Sequence, residues 1–194
     1  AMAANGRDQD APFGADDWLY LYLIEAPATS GVPNRVAGIL SKSARGPALP
    51  SGYTHWALLC PVKLANGAIV PFVENDGVVK YRTRQGITTL KNAGTHQVGL
   101  WTAIPPQANV AELNFMTSDA NSANVTDWMV YTDAGLHTHI QGMYSAGAFG
   151  TAQSVDRNIP LIDTKIRIDM SQQGTADPND SLSIYALGYT FSRQ

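Results

Sequence analysis

The sequence WLYLYLI occupies residues 18–24 and carries the clearest structural signal in the chain. Its aromatic residues alternate with leucines, so the apolar pattern has a period of two rather than the 3.6 of a helix. Side chains on a strand point alternately to opposite faces, and here both faces are apolar. We therefore expect residues 18–24 to form a central β-strand that is covered on each side.

The same period of two extends through most of the chain, and Gly, Pro, Asn and Asp residues separate the apolar runs. No segment shows the repeat of an amphipathic helix. The pattern predicts further strands at residues 36–40, 55–64, 68–73, 77–84, 96–103, 110–117, 125–132, 136–144, 162–170 and 181–191.

Two dipeptides predict tight hairpin turns. Asn66-Gly67 and Asp76-Gly77 each separate two strand-like runs, and both supply the positive φ angles that a two-residue turn needs. Pro71 lies inside the run between them. Because proline cannot donate a hydrogen bond to a β-ladder, residues 68–73 are expected at a sheet edge.

These features predict an all-β fold: an antiparallel two-sheet β-sandwich of jelly-roll type with essentially no helix. Residues 14–194 are expected to form a single domain. Residues 1–13 are interpreted as a cloning scar and linker, because the opening Ala1-Met2-Ala3 does not place methionine first. We therefore expect a domain excised from a longer protein.

The composition argues against several classes of protein. Only 15% of the 194 residues are charged and the net charge is −3, whereas about 25% is typical of soluble domains. The 13 Lys and Arg residues, set against 16 Asp and Glu, form no basic stripe for phosphates, so nucleic acid is not an expected partner. The apolar runs are too short for a membrane helix of about 20 residues, so membrane insertion is not expected.

No catalytic motif is present. Cys60 is the only cysteine; it lies in an apolar run before Pro61 and is expected to be an inert core thiol. His55 and His96 have no spacing that links either of them to a nucleophile. The chain is therefore not expected to be an enzyme, and neither catalytic residues nor a cofactor are predicted.

His137-Thr138-His139 is the sharpest candidate for metal binding. Residues two apart on a strand point the same way, so the two imidazoles would face one ion. Two ligands alone do not close a site, although three copies in a homotrimer would supply six nitrogens. The favoured interpretation is two ordinary surface or interface histidines, and no metal site is predicted.

Aromatic residues in strand-like context are candidates for stacking on a sugar. Most such residues pack in a core, so the ligand-binding residues are unknown from sequence. The aromatic candidates are Trp56, Trp101, Trp128, Tyr81, Tyr131 and Tyr144, and the polar loops expected to carry binding groups are Lys91 to Thr95, Ser118 to Asn124 and Ser145 to Ser154.

Four segments together resemble a known family. NGRDQ at residues 5–9, WLYLYLI at 18–24, LPSGYTHW at 49–56 and AIVPF at 68–72 resemble a domain recurrent in bacteriophage tail-fibre and related virion proteins. The similarity covers residues 5–85 and includes no catalytic residues. It implies a structural or adhesive role in the virion, at the tail or fibre, acting at the host cell surface.

Three functions are weighed. The leading hypothesis is a tail-fibre tip or related virion adhesin that recognises a bacterial surface polysaccharide or outer-membrane receptor. The alternative is a purely structural virion domain that trimerises, attaches or decorates without host contact. A depolymerase is the third, and it is disfavoured because such enzymes use paired carboxylates and no repetitive solenoid is visible. Low charge and the fibre resemblance predict a homotrimer that also contacts other virion proteins.

Overall fold

The protein is an all-β antiparallel sandwich, as the sequence predicts. The computed structural model describes residues 5–91, 94–118, 125–132, 137–142, 152–173 and 181–192, although side chains at 125–128, 132, 137–142, 152–153 and 170–173 lie outside this description. No helix occurs in these ranges. The strands are β1 (Gly6–Arg7), β2 (Trp18–Ala26), β3 (Arg35–Ser41), β4 (His55–Ala65), β5 (Ala68–Ile69), β6 (Phe72–Asn75), β7 (Val78–Leu90), β8 (Gly94–Gly99), β9 (Ala108–Ser118), β10 (Val125–Thr132), β11 (His137–Gly142), β12 (Ala152–Pro160), β13 (Lys165–Gln173) and β14 (Ser181–Phe191).

The chain divides into two compact units. The first comprises Ala1–Val79 with Phe191–Gln194, and the second comprises Lys80–Thr190. Strand β7 begins in the first unit and continues into the second. The expectation of one domain over residues 14–194 stays a prediction.

The first unit contains a sheet with the strand order β1-β3-β2-β4-β5. Strand β2 is its centre and pairs antiparallel with both β3 and β4. Strand β1 was not anticipated; it pairs parallel with β3, placing Gly6 opposite Ile39. A register shift between Leu21 and Tyr22 marks a bulge in the pairing of β2 with β4.

Burial along β2 corrects the expectation of two covered faces. Tyr22 and Ile24 on one face are fully buried. On the other face Leu21 is half-buried and Leu23 is 40% exposed. Only one face of β2 is therefore covered along its whole length.

Both predicted hairpin turns are confirmed. Asn66 and Gly67 have φ angles of 52° and 77°, and Asp76 and Gly77 have 48° and 81°. Two consecutive positive φ angles define the turn that suits the right-handed twist of a hairpin. The predicted strand 68–73 is interrupted at Val70 and Pro71, which leaves β5 and β6 as two short strands.

The second unit contains two sheets. One has the order β11-β10-β13-β8, and within this unit the other has the order β12-β9-β14-β7. Each sheet buries one face, as a sandwich requires. The buried side chains are Val98, Val130, Ile166 and Ile168 from the first sheet, and Leu113, Phe115, Leu182 and Ile184 from the second.

Several predicted boundaries in the second unit are wrong. Strand β12 lies partly where a loop through Ser154 was expected. Its sequence is too polar to show the apolar alternation of a strand, yet it pairs with β9 along its whole length. Strand β8 stops at Gly99 rather than at residue 103, and β13 starts at Lys165 rather than at Ile162.

None of the described segments is a helix long and apolar enough to cross a membrane.

Candidate functional site

One surface of the second unit combines exposed aromatic and polar side chains. It is the solvent side of the sheet β11-β10-β13-β8, here called the outer face. On β13, Ile166 and Ile168 point to the core, while Lys165, Arg167 and Asp169 alternate with them and point outward. The clean alternation in the sequence thus places three charged residues on one face.

Strand pairing brings residues of neighbouring strands side by side on the outer face. Gln97 of β8 pairs with Arg167, and Arg167 pairs on its other side with Tyr131 of β10. Two residues along the strands, Gly99 pairs with Lys165. Gln97 is exposed and Tyr131 is half-buried, so this row is open to solvent.

The turn after β8 is anchored by Leu100, which is fully buried. Its backbone N–H donates to Thr164 O at 2.7 Å, and its carbonyl accepts from the N–H groups of Ala103 at 2.9 Å and Ile104 at 2.8 Å. These bonds end β8 and reverse the chain. Residue 101 is therefore directed away from the core that Leu100 occupies.

Trp101 lies on the outer face, over the backbone of Gly99. A Cβ atom added to Gly99 would be 2.6 Å from Trp101 Nε1 and 2.9 Å from Cδ1, so only glycine leaves room for the indole. The side chain of Trp101 is nevertheless 60% exposed. We call Trp101 seated on Gly99 the Trp101 platform.

Tyr81 supports the same turn from below. Its hydroxyl donates to Ala103 O at 2.5 Å. Burial raises the pKa of Tyr81, so the phenol keeps its proton and remains a donor at neutral pH. The ring also packs edge-on against Tyr189, with centroids 6.0 Å apart.

A second feature of the outer face is a stacked pair of Arg167 and Tyr131. The guanidinium carbon lies 4.2 Å from the ring centroid, and Arg167 Nη2 donates to Asp169 Oδ2 at 3.1 Å. At an exposed site such a stack contributes about 0.5–1 kcal/mol. Asp169 Oδ1 is shielded from solvent and has no hydrogen-bond partner in the described part of the chain, so Oδ2 is the oxygen of this carboxylate that acts at the surface.

The described charged side chains near the outer face form two ion pairs that balance each other. Lys165 Nζ lies 3.8 Å from Asp163 Oδ2, and Arg167 is paired with Asp169. All four side chains are at least one-third exposed, so neither ion pair adds much to stability. The paired side chains instead present hydrogen-bond donors and acceptors at the surface.

Together these residues offer an apolar plane beside neutral and charged hydrogen-bonding groups. Trp101 supplies ring surface, Lys165 and Arg167 donate, Asp169 accepts, and Gln97 does both. This combination suits a ligand with an apolar ring face and several hydroxyl groups.

The structure places the aromatic candidates from the sequence in different parts of the protein. Trp101 and Tyr131 both lie on the outer face, at separate positions, whereas Tyr81 is part of the support and Trp56 lies in the first unit. The side chains of Trp128 and Tyr144 lie outside the described residues. Of the expected binding loops only 91, 94–95, 118 and 152–154 are described; Thr95 is exposed and pairs with Asp169 on the outer face.

Other predicted residues have no part in this face. Cys60 is 3% exposed, as expected of a core thiol. Residues 137 and 139 pair with Tyr131 and Met129 on β10, but the two histidine side chains lie outside the described part. Among the residues that are described, no three His, Cys, Asp or Glu side chains come together as a metal site.

The first unit carries a groove of its own. It has a volume of about 260 Å³ and is lined by residues of β2, β3 and β4, among them Val36 of β3, which is 56% exposed. Leu23, Glu25, Val36, His55 and Ala57 are among the residues that line it.

Comparisons with known proteins give only distant similarities. No protein-family model and no curated protein sequence matches the chain. The solved structures with some likeness include the carbohydrate-binding module TmCBM61 in complex with β-1,4-galactotriose, at 18% identity and a TM-score of 0.30 over 59% of this chain and 69% of that one. Another is a structure of infectious bursal disease virus, Gx strain, at 10% identity and a TM-score of 0.31 over 92% of this chain and 53% of that one. Scores this low carry no argument about this chain, and the tail-fibre resemblance stays a prediction.

Proposed function

We propose that this chain is an adhesion domain that binds a host-surface glycan through the outer face of its second unit. The observation that carries the proposal is the Trp101 platform: a tryptophan that is 60% exposed and packs over Gly99, next to the turn that Leu100 anchors. Tryptophan is enriched at binding interfaces, where both its apolar ring and its N–H group can be used, so an exposed ring at a defined position suits a binding site.

The binding chemistry follows from the groups on the face. The C–H face of a sugar ring would stack on Trp101, and its hydroxyls would bond with Gln97 and Lys165. Each neutral hydrogen bond contributes about 0.5–1.5 kcal/mol net, so one site binds weakly. Several copies on one particle would raise the effective concentration and make weak sites sufficient for adhesion.

The setting that we propose is a bacteriophage tail fibre or related virion protein acting at the host cell surface. The support is the resemblance of residues 5–85 to such proteins. Under this proposal the domain is not an enzyme, and its partners are a bacterial surface polysaccharide or outer-membrane receptor and other virion proteins.

The test is binding of labelled protein to host bacteria with their surface polysaccharide intact or stripped. We expect binding to intact cells, loss on stripped cells, and a drop of about tenfold or more for Trp101→Ala, equivalent to about 1.4 kcal/mol. Trp101→Phe should restore part of the binding because it keeps an aromatic plane. Val73→Ala, at a side chain that is 55% exposed on β6, serves as the control for losing an exposed apolar side chain elsewhere.

Equal binding by Trp101→Ala and the unaltered protein would show that the outer face is not the site. Failure of the natively assembled protein to bind intact cells, or to compete with phage adsorption, would favour the alternative function instead.

That alternative is a structural virion domain, and one observation favours it. Leu23 and Val36 on the first unit's sheet are 40% and 56% exposed, an apolar area that a second copy would cover in a homotrimer. Sedimentation over a wide range of dilution tests it, because a mass that stays monomeric at every concentration contradicts the trimer.

A further inference from the structure

The two aromatic features of the outer face are well separated. From Gly99 to Gln97 the chain advances two residues along β8, or about 7 Å, and from β8 to β10 the sheet advances two strand spacings, or about 10 Å. On the diagonal, the backbone of Gly99 under the Trp101 platform therefore lies about 8 Å from that of Arg167 and about 12 Å from that of Tyr131. A single sugar ring, which is close to an indole in size, does not reach from the platform to the Tyr131 ring.

The surface between these two features is polar rather than blocked. Gln97 and Lys165 lie between them in the pairing register, and both are exposed. Their side chains can bond hydroxyl groups from sugars that bridge the two aromatic features. The face has a continuous track on which a chain of sugars can lie.

The described side chains along the same track carry no net charge. Lys165 and Arg167 are each paired with a carboxylate, at 3.8 Å and 3.1 Å, and the two positive charges cancel the two negative charges of Asp163 and Asp169. A polyanionic polysaccharide would gain no net attraction here and would meet two carboxylates. The balance of charge therefore favours an uncharged ligand.

We infer that the ligand is an uncharged oligosaccharide segment of several sugars that lies diagonally across the outer face, with one sugar on Trp101 and another against the Arg167–Tyr131 stack. This inference rests on the proposed glycan-binding function. It adds that tight binding requires an oligosaccharide long enough to contact both aromatic features at once.

The experiment measures affinity by calorimetry for single sugars, disaccharides and longer oligomers. The probes are uncharged oligomers of glucose, galactose, mannose and N-acetylglucosamine, together with size-fractionated fragments of the surface polysaccharide from cells that the protein binds. In the series that binds, we expect affinity to rise by about tenfold or more from the single sugar to the oligomer that reaches both features, and then to level off.

Variants at the two ends make the test specific. Trp101→Ala and Arg167→Ala should each reduce the affinity for the long oligomer to about that for a short one, and combining them should cost little more. The matched control is Arg84→Ala, since Arg84 stacks on Tyr185 at the same distance of 4.2 Å but on β7 and β14 of the other sheet. It should leave the length dependence unchanged.

The possible failures are distinguishable. Equal affinity for a single sugar and a long oligomer, with loss of both in Trp101→Ala, overturns the two-ended site and leaves glycan binding in place. Binding confined to acidic fragments overturns the preference for an uncharged ligand. No binding of any fragment, with cell binding unaffected by Trp101→Ala, removes the proposed function itself.

Discussion

Two tryptophans in this protein each lie against a glycine, and they do so in different ways. In the first unit, a Cβ atom on Gly46 would lie 2.8 Å from Trp56 Cζ2, and in the second, one on Gly99 would lie 2.6 Å from Trp101 Nε1. Trp56 also packs edge-on against the fully buried Tyr22, with ring centroids 5.3 Å apart, and is 39% exposed. Trp101 is 60% exposed.

The difference separates the packing role of Trp56 from the binding role that we propose for Trp101. Gly46 has a φ of +135°, which L-residues with a side chain rarely adopt, and the Tyr22 hydroxyl donates to Ser43 O at 2.7 Å in the same loop. The Trp56 cluster, defined as Tyr22, Ser43, Gly46 and Trp56, therefore ties a loop to the sheet. Gly99 has no such backbone strain, and its role is to make room. Similar glycine contacts thus serve stability in one unit and exposure in the other.

The largest expected effect is from removal of Trp56. Trp56→Ala should lower the free energy of unfolding by about 3 kcal/mol, because it opens a cavity beside Tyr22 and releases the loop at Gly46. Trp101→Ala should lower it by less than about 0.5 kcal/mol, as for other surface changes. Denaturant unfolding of both variants measures the contrast, and equal losses would remove the distinction between the two roles.

Next in size is the change Gly46→Ala. Its Cβ would meet the packed ring of Trp56 at 2.8 Å, and its φ of +135° is strained for alanine, so we expect a loss of about 2 kcal/mol. Thermal unfolding measures it. The control is Gly86→Ala, where a Cβ would meet nothing within 4 Å. A loss no larger than that of the control would mean that the loop gives way without cost.

A smaller effect is expected for Tyr22→Phe, which removes the bond to Ser43 O at a cost of about 1 kcal/mol at neutral pH. Burial raises the pKa of Tyr22 from 10.0 to about 12, against a smaller opposing effect of the Gly46 backbone. The unfolded chain therefore ionises first, and stability is lost as pH rises from 10 towards about 12. The variant lacks this loss, so its stability relative to the unaltered protein should improve across that window; a constant difference would contradict the burial argument.

The smallest expected change in stability is that of Gly99→Ala. The atoms it would meet belong to an exposed ring that can swing away, so the free energy of unfolding should change by less than about 0.5 kcal/mol. Glycan affinity should nevertheless fall, because Trp101 leaves its seat. Tryptophan fluorescence and oligomer binding measured together test this, and unchanged affinity would show that the exact seat of the ring does not matter.

The local patterns in the sequence predicted much of the fold. The alternation of side chains along each segment predicted β2 and β14, and the Asn66-Gly67 dipeptide predicted a hairpin turn. These features depend on only a few adjacent residues. Strand β12 escaped because it is polar, and its place is set by pairing with β9. Alternation also assigned Ile162 to a strand, whereas it is 75% exposed in the segment before β13.

The candidate site was less predictable. Trp56 and Trp101 stand in similar strand-like contexts, and nothing local tells which ring is exposed. The exposure of Trp101 depends on Leu100 ending β8 through bonds to Thr164 and Ala103, and Thr164 is distant in sequence. Tyr131 and Arg167 meet only through strand register. A sequence signal for the platform does exist in Gly99, two residues before an aromatic, but it is weak.

The anchored turn at Leu100 has a consequence for how such a protein evolves. Leu100 and its three backbone hydrogen bonds hold the turn, and none of those bonds involves the side chain at position 101. Under the proposed function, a mutation in that codon would alter the ligand contact while these three bonds stay in place. Host range would then shift at this position through single substitutions, and selection on receptor preference would act there almost independently of selection on stability.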